Sequence, residues 1–166
     1  MSDVKTRVAE NNDIETALVH ALTSRGLTVS TVESCTGGMI AARLVNVPGS
    51  SETFMEGFVT YSNKAKERAV GVKHETLLAH GAVSPETCLE MVLGGARTAG
   101  TDACMASTGI AGPGGGTHEK PVGLVYIGAA LGGRTEVREL HLTGSRIAVR
   151  TQAAEAAMRL LLDMVR

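Results

Sequence analysis

Two lysines two positions apart, Lys64 and Lys66, follow a predicted strand that ends near Tyr61. On a helix they point about 200° apart, so NKAKERAV presents them to different surroundings. The i+3 and i+4 neighbours of Lys64 are Glu67 and Arg68, whereas those of Lys66 are Ala69 and Val70. Lys64 therefore belongs to the polar face and Lys66 borders the apolar one. A lysine directed inward loses hydration, its pKa falls, and a neutral amine able to act as a general base becomes accessible. The alternative is a stem laid over Ala69 with the ammonium lifted to water.

A base needs a hydroxyl to deprotonate. Ser50 and Ser51 follow Pro48-Gly49 and are read as opening a short helix, SETFMEG. A hydroxyl there is either a nucleophile among free backbone N–H groups or a plain N-cap. Tyr61 either relays a proton between serine and lysine or packs with its hydroxyl at a rim. Ser34-Cys35-Thr36-Gly37-Gly38 joins a strand to a helix; it suits an anion at the helix N-terminus, or a tight turn with hydroxyl caps. GIAGPGGGTHEKP lacks the G-K-[ST] of a P-loop and is not G-x-G-x-x-G, yet its glycines free several backbone N–H groups for a ligand. Arg146, just after the cap Ser145, opposes the helix dipole, which an anion held there would explain. His118-Glu119 lacks the second His of H-E-x-x-H, and the other histidines are scattered, so no metal site is expected.

The elements that must position these groups follow from periodicity and punctuation. Asp13 starts a helix that Gly26 stops, LTVSTVES is a strand, and GGMIAARLVN a helix ended by Pro48-Gly49. GFVTYS is a strand and NKAKERAV a helix, with a helical turn near Glu75 to His80. Ser84-Pro85-Glu86 is a strong helix start, and that helix ends at Gly100. ACMASTGI is an apolar strand; GLVYIGAAL and EVRELHL form a hairpin around Gly132-Gly133. Ser145 caps a last helix to about Val165, whose Ala- and Leu-rich face is read as core with part of a subunit interface, so a homo-oligomer is expected. The fold class is α/β: a three-layer α/β/α sandwich with a mixed, mostly parallel sheet. Ligands bind such sheets at the carboxyl ends of the strands. That gathers Glu33 to Gly38, Tyr61 to Asn63, Thr108 to Gly116 and Thr143 to Arg146.

Composition sets outer limits. The chain of 166 residues reads as a flexible tail over residues 1–11 and one domain over 12–166. A net charge of −1 with mixed signs offers no broad basic surface for nucleic acid. The sequence shows no apolar leader and no run approaching the roughly 20 residues that span a bilayer. Cys35, Cys88 and Cys104, with no C-x-x-C, read as free buried thiols in a reducing cytoplasm.

Six motifs in one order carry a resemblance: ESCTGG at 33–38, GSS at 49–51, GFVTYSNKAK at 57–66, HGAVS at 80–84, STGIAGPGGG at 107–116 and EKPVGLVY at 119–126. From about residue 12 onward the sequence resembles the CinA C-terminal domain family, whose enzymatic members are nicotinamide-nucleotide amidohydrolases. The resemblance implies metal- and cofactor-free hydrolysis of the carboxamide of nicotinamide mononucleotide, giving nicotinate mononucleotide and ammonia. By motif it makes Ser51 the nucleophile and Tyr61 and Lys66 its activating partners. Ser34, Gly37, Gly38, Thr108, Gly109 and Gly112 become substrate or oxyanion contacts and Arg146 an anion-binding arginine. It thereby implies that Lys66 faces inward to serve Ser51. Longer members carry a further N-terminal domain resembling molybdopterin-binding proteins, whose activity is not carried over. The tract 114–116 is all glycine where relatives often have an acidic residue. The competing readings are a non-catalytic competence- or damage-associated regulatory module and an amidase for another small amide.

Overall fold

In the computed structural model, which describes residues 13–166, the sheet is organised around three inner strands with no exposed face, β1 (Val29–Glu33), β3 (Ala103–Gly109) and β4 (Leu124–Leu131). The tail expected over residues 1–11 lies outside the described residues. β-branched and small residues suit a strand covered on both sides. β2 (Phe54–Val59) pairs parallel with β1, β1 parallel with β3, and the hairpin β4 (Leu124–Leu131) and β5 (Arg134–His141) adds two antiparallel pairings. The order is β2-β1-β3-β4-β5, a mixed sheet as expected, with parallel and antiparallel pairings in equal number. Gly132 and Gly133 both have positive φ, which the two-residue connection requires.

Helices cover both faces. α1 (Ile14–Ser24), α2 (Met39–Val45) and α6 (Arg146–Val165) build one core, into which Leu18, Ile40, Leu44, Val149 and Met158 are buried. α3 (Asn63–Val70), α4 (His74–His80) and α5 (Pro85–Ala99) build the other with Val70, Leu77, Met91 and Val92. Ser62, Ser84 and Ser145 each accept a hydrogen bond from a backbone N–H in the first turn of their helices, so these starts are set by sequence. The Ala- and Leu-rich face of α6 goes into the chain's own core, with Ala153, Ala154, Ala157, Leu160 and Leu161 unexposed.

One element differs from expectation. SETFMEG is not a helix: a single 3-10 turn covers Ser50–Glu52, and the strand begins already at Phe54. Pairing with β1, which starts at Val29 opposite Phe54, overrides any local helical preference. The shift matters because it places Ser51 before the strand.

Register brings the chemistry together. Glu33 lies opposite Val59 on one side and Ser107 on the other. The residues just after these strands, Ser34, Thr60 and Thr108, therefore emerge side by side at one edge. α3 is seated by close contact with α5. A Cβ built on Gly94 would lie 1.8 Å from the Val70 carbonyl oxygen. Helix propensity alone would make Gly94→Ala stabilising by about 1 kcal/mol. We expect the opposite sign: a loss of about 2–3 kcal/mol, or on the order of 5–10 °C in Tm, measured by thermal unfolding.

Candidate active site

A cleft of about 280 Å³ opens at the carboxyl edge of β1 and β3. Its walls come from the turn after β1, the start of the α3 region, the segment after β3 and the first residue of α6, the four segments expected. The connection between α4 and α5 adds Ala82 and Val83, which belong to the HGAVS motif but which the sequence reading did not place at the cleft. The volume sits at the small end of ligand pockets, suited to a small molecule.

Lys66 is at the floor and only 1% exposed, whereas Lys64 on the opposite face is exposed. The inward reading of Lys66 is the one the structure adopts, but its partner is not Ser51. Lys66 Nζ donates to Ser34 Oγ at 3.0 Å and to the Thr60 carbonyl at 2.8 Å. Ser51 is exposed in the 3-10 turn ahead of β2. A six-residue strand at about 3.3 Å per residue puts it about 20 Å from the end where Lys66 lies. The expected Ser51–Lys66 pair is thus corrected to Ser34–Lys66.

Burial pushes the Lys66 ammonium down to about 8. Both its partners are neutral acceptors, so nothing compensates the lost hydration as a carboxylate would. Once Nζ gives up a proton, its lone pair faces the Ser34 hydroxyl, which can then donate to it. Cys35, the next residue, also lines the cleft, but burial pushes its thiol up to about 11. At neutral pH it is a thiol, a poor competitor as a nucleophile. All three cysteines are free and buried.

Tyr61 stands at the rim, 63% exposed, rather than between serine and lysine. Its hydroxyl accepts from Arg146 Nη2 at 3.1 Å, and Arg146 Nη1 donates to the Gly112 carbonyl at 2.8 Å. Of the two readings of Tyr61, the hydroxyl at the rim is the one the structure adopts, with the arginine at the mouth as its partner, while Lys66 meets a serine directly. Thr108 is buried and donates to the Ala82 carbonyl at 2.7 Å, tying two cleft walls together. Gly109 and Gly112 both line the cleft. A Cβ at Gly109 would lie 2.6 Å from Val125 Cγ2, so packing alone demands glycine there.

Gly37 and Gly38 do not line the cleft, and their amides are already engaged. The Gly37 N–H donates to the Ser34 carbonyl at 3.1 Å and the Gly38 N–H to Glu33 Oε2 at 3.1 Å. The expectation that these two amides hold substrate is corrected accordingly. Among the described residues no three His, Cys, Asp or Glu side chains cluster as metal ligands. None of the described helices is long and apolar enough to cross a membrane.

Residues 11–165 match the CinA C-terminal domain. The chain belongs to the CinA C-terminal domain family. A CinA-like protein of Kosmotoga olearia is 54% identical over 153 residues, which cover 92% of this chain and 36% of that protein. One from Chloroherpeton thalassium is 49% identical over 156 residues, 92% of this chain and 37% of its own length. The chain thus spans well under half the length of the curated relatives it matches. The crystal structure of the competence/damage inducible protein CihA from Agrobacterium tumefaciens superposes with a TM-score of 0.89 at 42% identity, covering 93% of this chain and 96% of that one. A CinA superfamily protein from Klebsiella pneumoniae superposes with a TM-score of 0.88 at 37% identity, covering 92% and 95%.

The lowered Lys66 pKa has a signature in stability. An unfolded lysine titrates at roughly 10.4. Between about 8 and that value the unfolded lysine binds a proton that the folded one has lost, so Lys66's own contribution to stability rises with pH across this window, whereas the buried thiols, raised in the fold, contribute with the opposite sign. Lys66→Met removes that contribution, so the stability of the unmodified chain relative to the variant is expected to rise with pH across the window, as read from urea unfolding of both at a series of pH values. Equal slopes in both proteins would contradict a depressed Lys66.

Proposed function

We propose that this chain is a metal-independent amidohydrolase that converts nicotinamide mononucleotide to nicotinate mononucleotide and ammonia, with Ser34 as nucleophile and Lys66 as base. The observation that carries the reading is the buried, uncompensated amine of Lys66 set against the Ser34 hydroxyl. The family resemblance supplies the substrate, and the cleft's small size and its arginine at the mouth are compatible with a mononucleotide. Three free thiols suit a reducing cytoplasm as its place of action.

The steps follow from the groups present. Neutral Lys66 takes the proton of Ser34 Oγ as that oxygen bonds to the carboxamide carbon. Backbone N–H groups of the cleft hold the developing oxyanion. The C–N bond breaks, and Lys66 returns the proton to the leaving nitrogen, which departs as ammonia. Lys66 then deprotonates a water that attacks the acyl carbon. Ser34 leaves with the proton from Lys66, and the carboxylic acid product is released. Arg146, freed from Tyr61 and Gly112, would pair with the substrate's anionic group.

The Agrobacterium relative's name, competence/damage inducible, is silent on catalysis, and the second reading takes it up as a regulatory role without catalysis. Ammonia release from nicotinamide mononucleotide by the purified protein separates the two. We expect turnover by the unmodified chain and a kcat lowered at least roughly a thousandfold in Ser34→Ala. Ser51→Ala should retain activity, in contrast to the motif-based expectation. kcat/KM should rise with pH and level off above about 8 as Lys66 loses its proton. Absence of ammonia release would leave the non-catalytic reading, or that of an amidase for another small amide. Full activity in Ser34→Ala would remove the nucleophile assigned here.

A further inference from the structure

The turn that carries Ser34 is held from two sides. On one side is Glu33, wholly unexposed and without a cation at ion-pair distance among the described residues. Its Oε2 accepts from Thr36 Oγ1 at 2.6 Å, from the Gly38 N–H at 3.1 Å and from the Ile40 N–H at 3.0 Å; Oε1 accepts from the Ala41 N–H at 2.9 Å. On the other side is Arg150 of α6. Its Nε donates to the Cys35 carbonyl at 3.0 Å and its Nη2 to the Thr36 carbonyl at 2.9 Å. The N–H groups of the turn are thus gathered by a carboxylate and its carbonyls by a guanidinium.

A guanidinium presents its donors in a rigid planar fork, so two carbonyls held at once fix the orientation of two successive peptide planes. A trans peptide directs its C=O and N–H to opposite sides. With the Cys35 and Thr36 carbonyls turned to Arg150, the Thr36 N–H is turned away from it. Neither the Cys35 nor the Thr36 N–H has an acceptor in another residue among the described ones. Cys35 follows the proposed nucleophile and lines the cleft, where such an N–H can meet an oxyanion. The space is also shaped for Arg150. A Cβ on Gly37, whose φ is +59°, would lie 3.3 Å from Arg150 Nη2. Arg146 and Arg150 are one helical turn apart, so α6 delivers one arginine to the cleft mouth and the next to the back of the turn.

We propose that Arg150 is a positioning residue for the reaction, holding Ser34 on Lys66 and the Cys35 and Thr36 N–H donors in place against Glu33 on the other side. This rests on the assignment of Ser34 as nucleophile. It does not require Arg150 to touch substrate.

Steady-state kinetics of Arg150→Ala on nicotinamide mononucleotide test it. kcat should fall about 30- to 100-fold with KM within about threefold, because the reacting groups lose alignment while the substrate contacts remain. Added guanidinium ion at sub-denaturing concentration should restore kcat several-fold. A purely architectural arginine would lower Tm and leave kcat of the folded fraction unchanged; that result, or a loss confined to KM, would overturn the proposal. If Arg150→Ala does not fold, Arg150→Lys carries the same test, since one ammonium cannot span both carbonyls in the guanidinium geometry.

An alkyl fluorophosphonate provides a readout independent of the natural substrate. Ser34 Oγ bonds to phosphorus, fluoride leaves, and Lys66 takes the hydroxyl proton. Labelling located on the Ser34 peptide by mass spectrometry should be slowed in Arg150→Ala to a similar extent. Ser34 labelling without ammonia release in the unmodified chain would reject the substrate while still testing the clamp. No labelling of Ser34 in the unmodified chain would overturn nucleophile and clamp together.

Discussion

The structure depends on burying one amine without giving it an ionic partner. Lys66 has two hydrogen-bond acceptors, a hydroxyl and a backbone carbonyl, and both are neutral. A carboxylate in either position would stabilise the ammonium and keep it charged at neutral pH. The nearby carboxylate, Glu33, is satisfied instead by three backbone N–H groups and a threonine hydroxyl. The same turn therefore keeps a carboxylate beside the cleft without pairing it to the Lys66 amine.

That arrangement is possible because parallel strands end together. Glu33, Val59 and Ser107 are neighbours across the sheet, so the segments that follow them share one edge. α3 then returns Lys66 beneath the residue that follows β1. Its seat is set by Gly94, where the backbone of α3 comes too close to α5 for any side chain. Precision at the cleft is thus fixed by packing some distance away. Flexible residues at the edge could not supply it.

Much of this was legible in the sequence. Caps at Ser84 and Ser145, the Gly132-Gly133 turn and the contrast between Lys64 and Lys66 are local signals, and each is realised. The serine that meets Lys66 was not legible, because that pairing spans 32 positions and depends on which strands are neighbours. A usable signal existed: ligand groups in such sheets follow strands, as Ser34 does, whereas Ser51 precedes one. Reading SETFMEG as a helix hid the first residues of β2 and with them the fact that Ser51 sits at the wrong end. The engagement of the Gly37 and Gly38 amides was hidden for a different reason. It depends on a glutamate side chain folding back over its own turn, which no spacing rule reports.

Folding gives a lysine at position 66 only a partial reason, the hydrogen bond from its Nζ to the Thr60 carbonyl. Methionine or leucine there would fill a similar volume with no loss of hydration and would give up only the hydrogen bonds to Thr60 and Ser34, and replacing a buried charged group by a well-packed apolar one is often neutral or stabilising. The chain instead keeps an amine whose charged form is disfavoured and sets it 3.0 Å from a hydroxyl on the floor of its cleft. A purely structural or regulatory module leaves that penalty unexplained. The proposed proton transfer between the two groups would account for it, because an amine that titrates near 8 is available as a base near neutral pH in a way that an ordinary lysine is not.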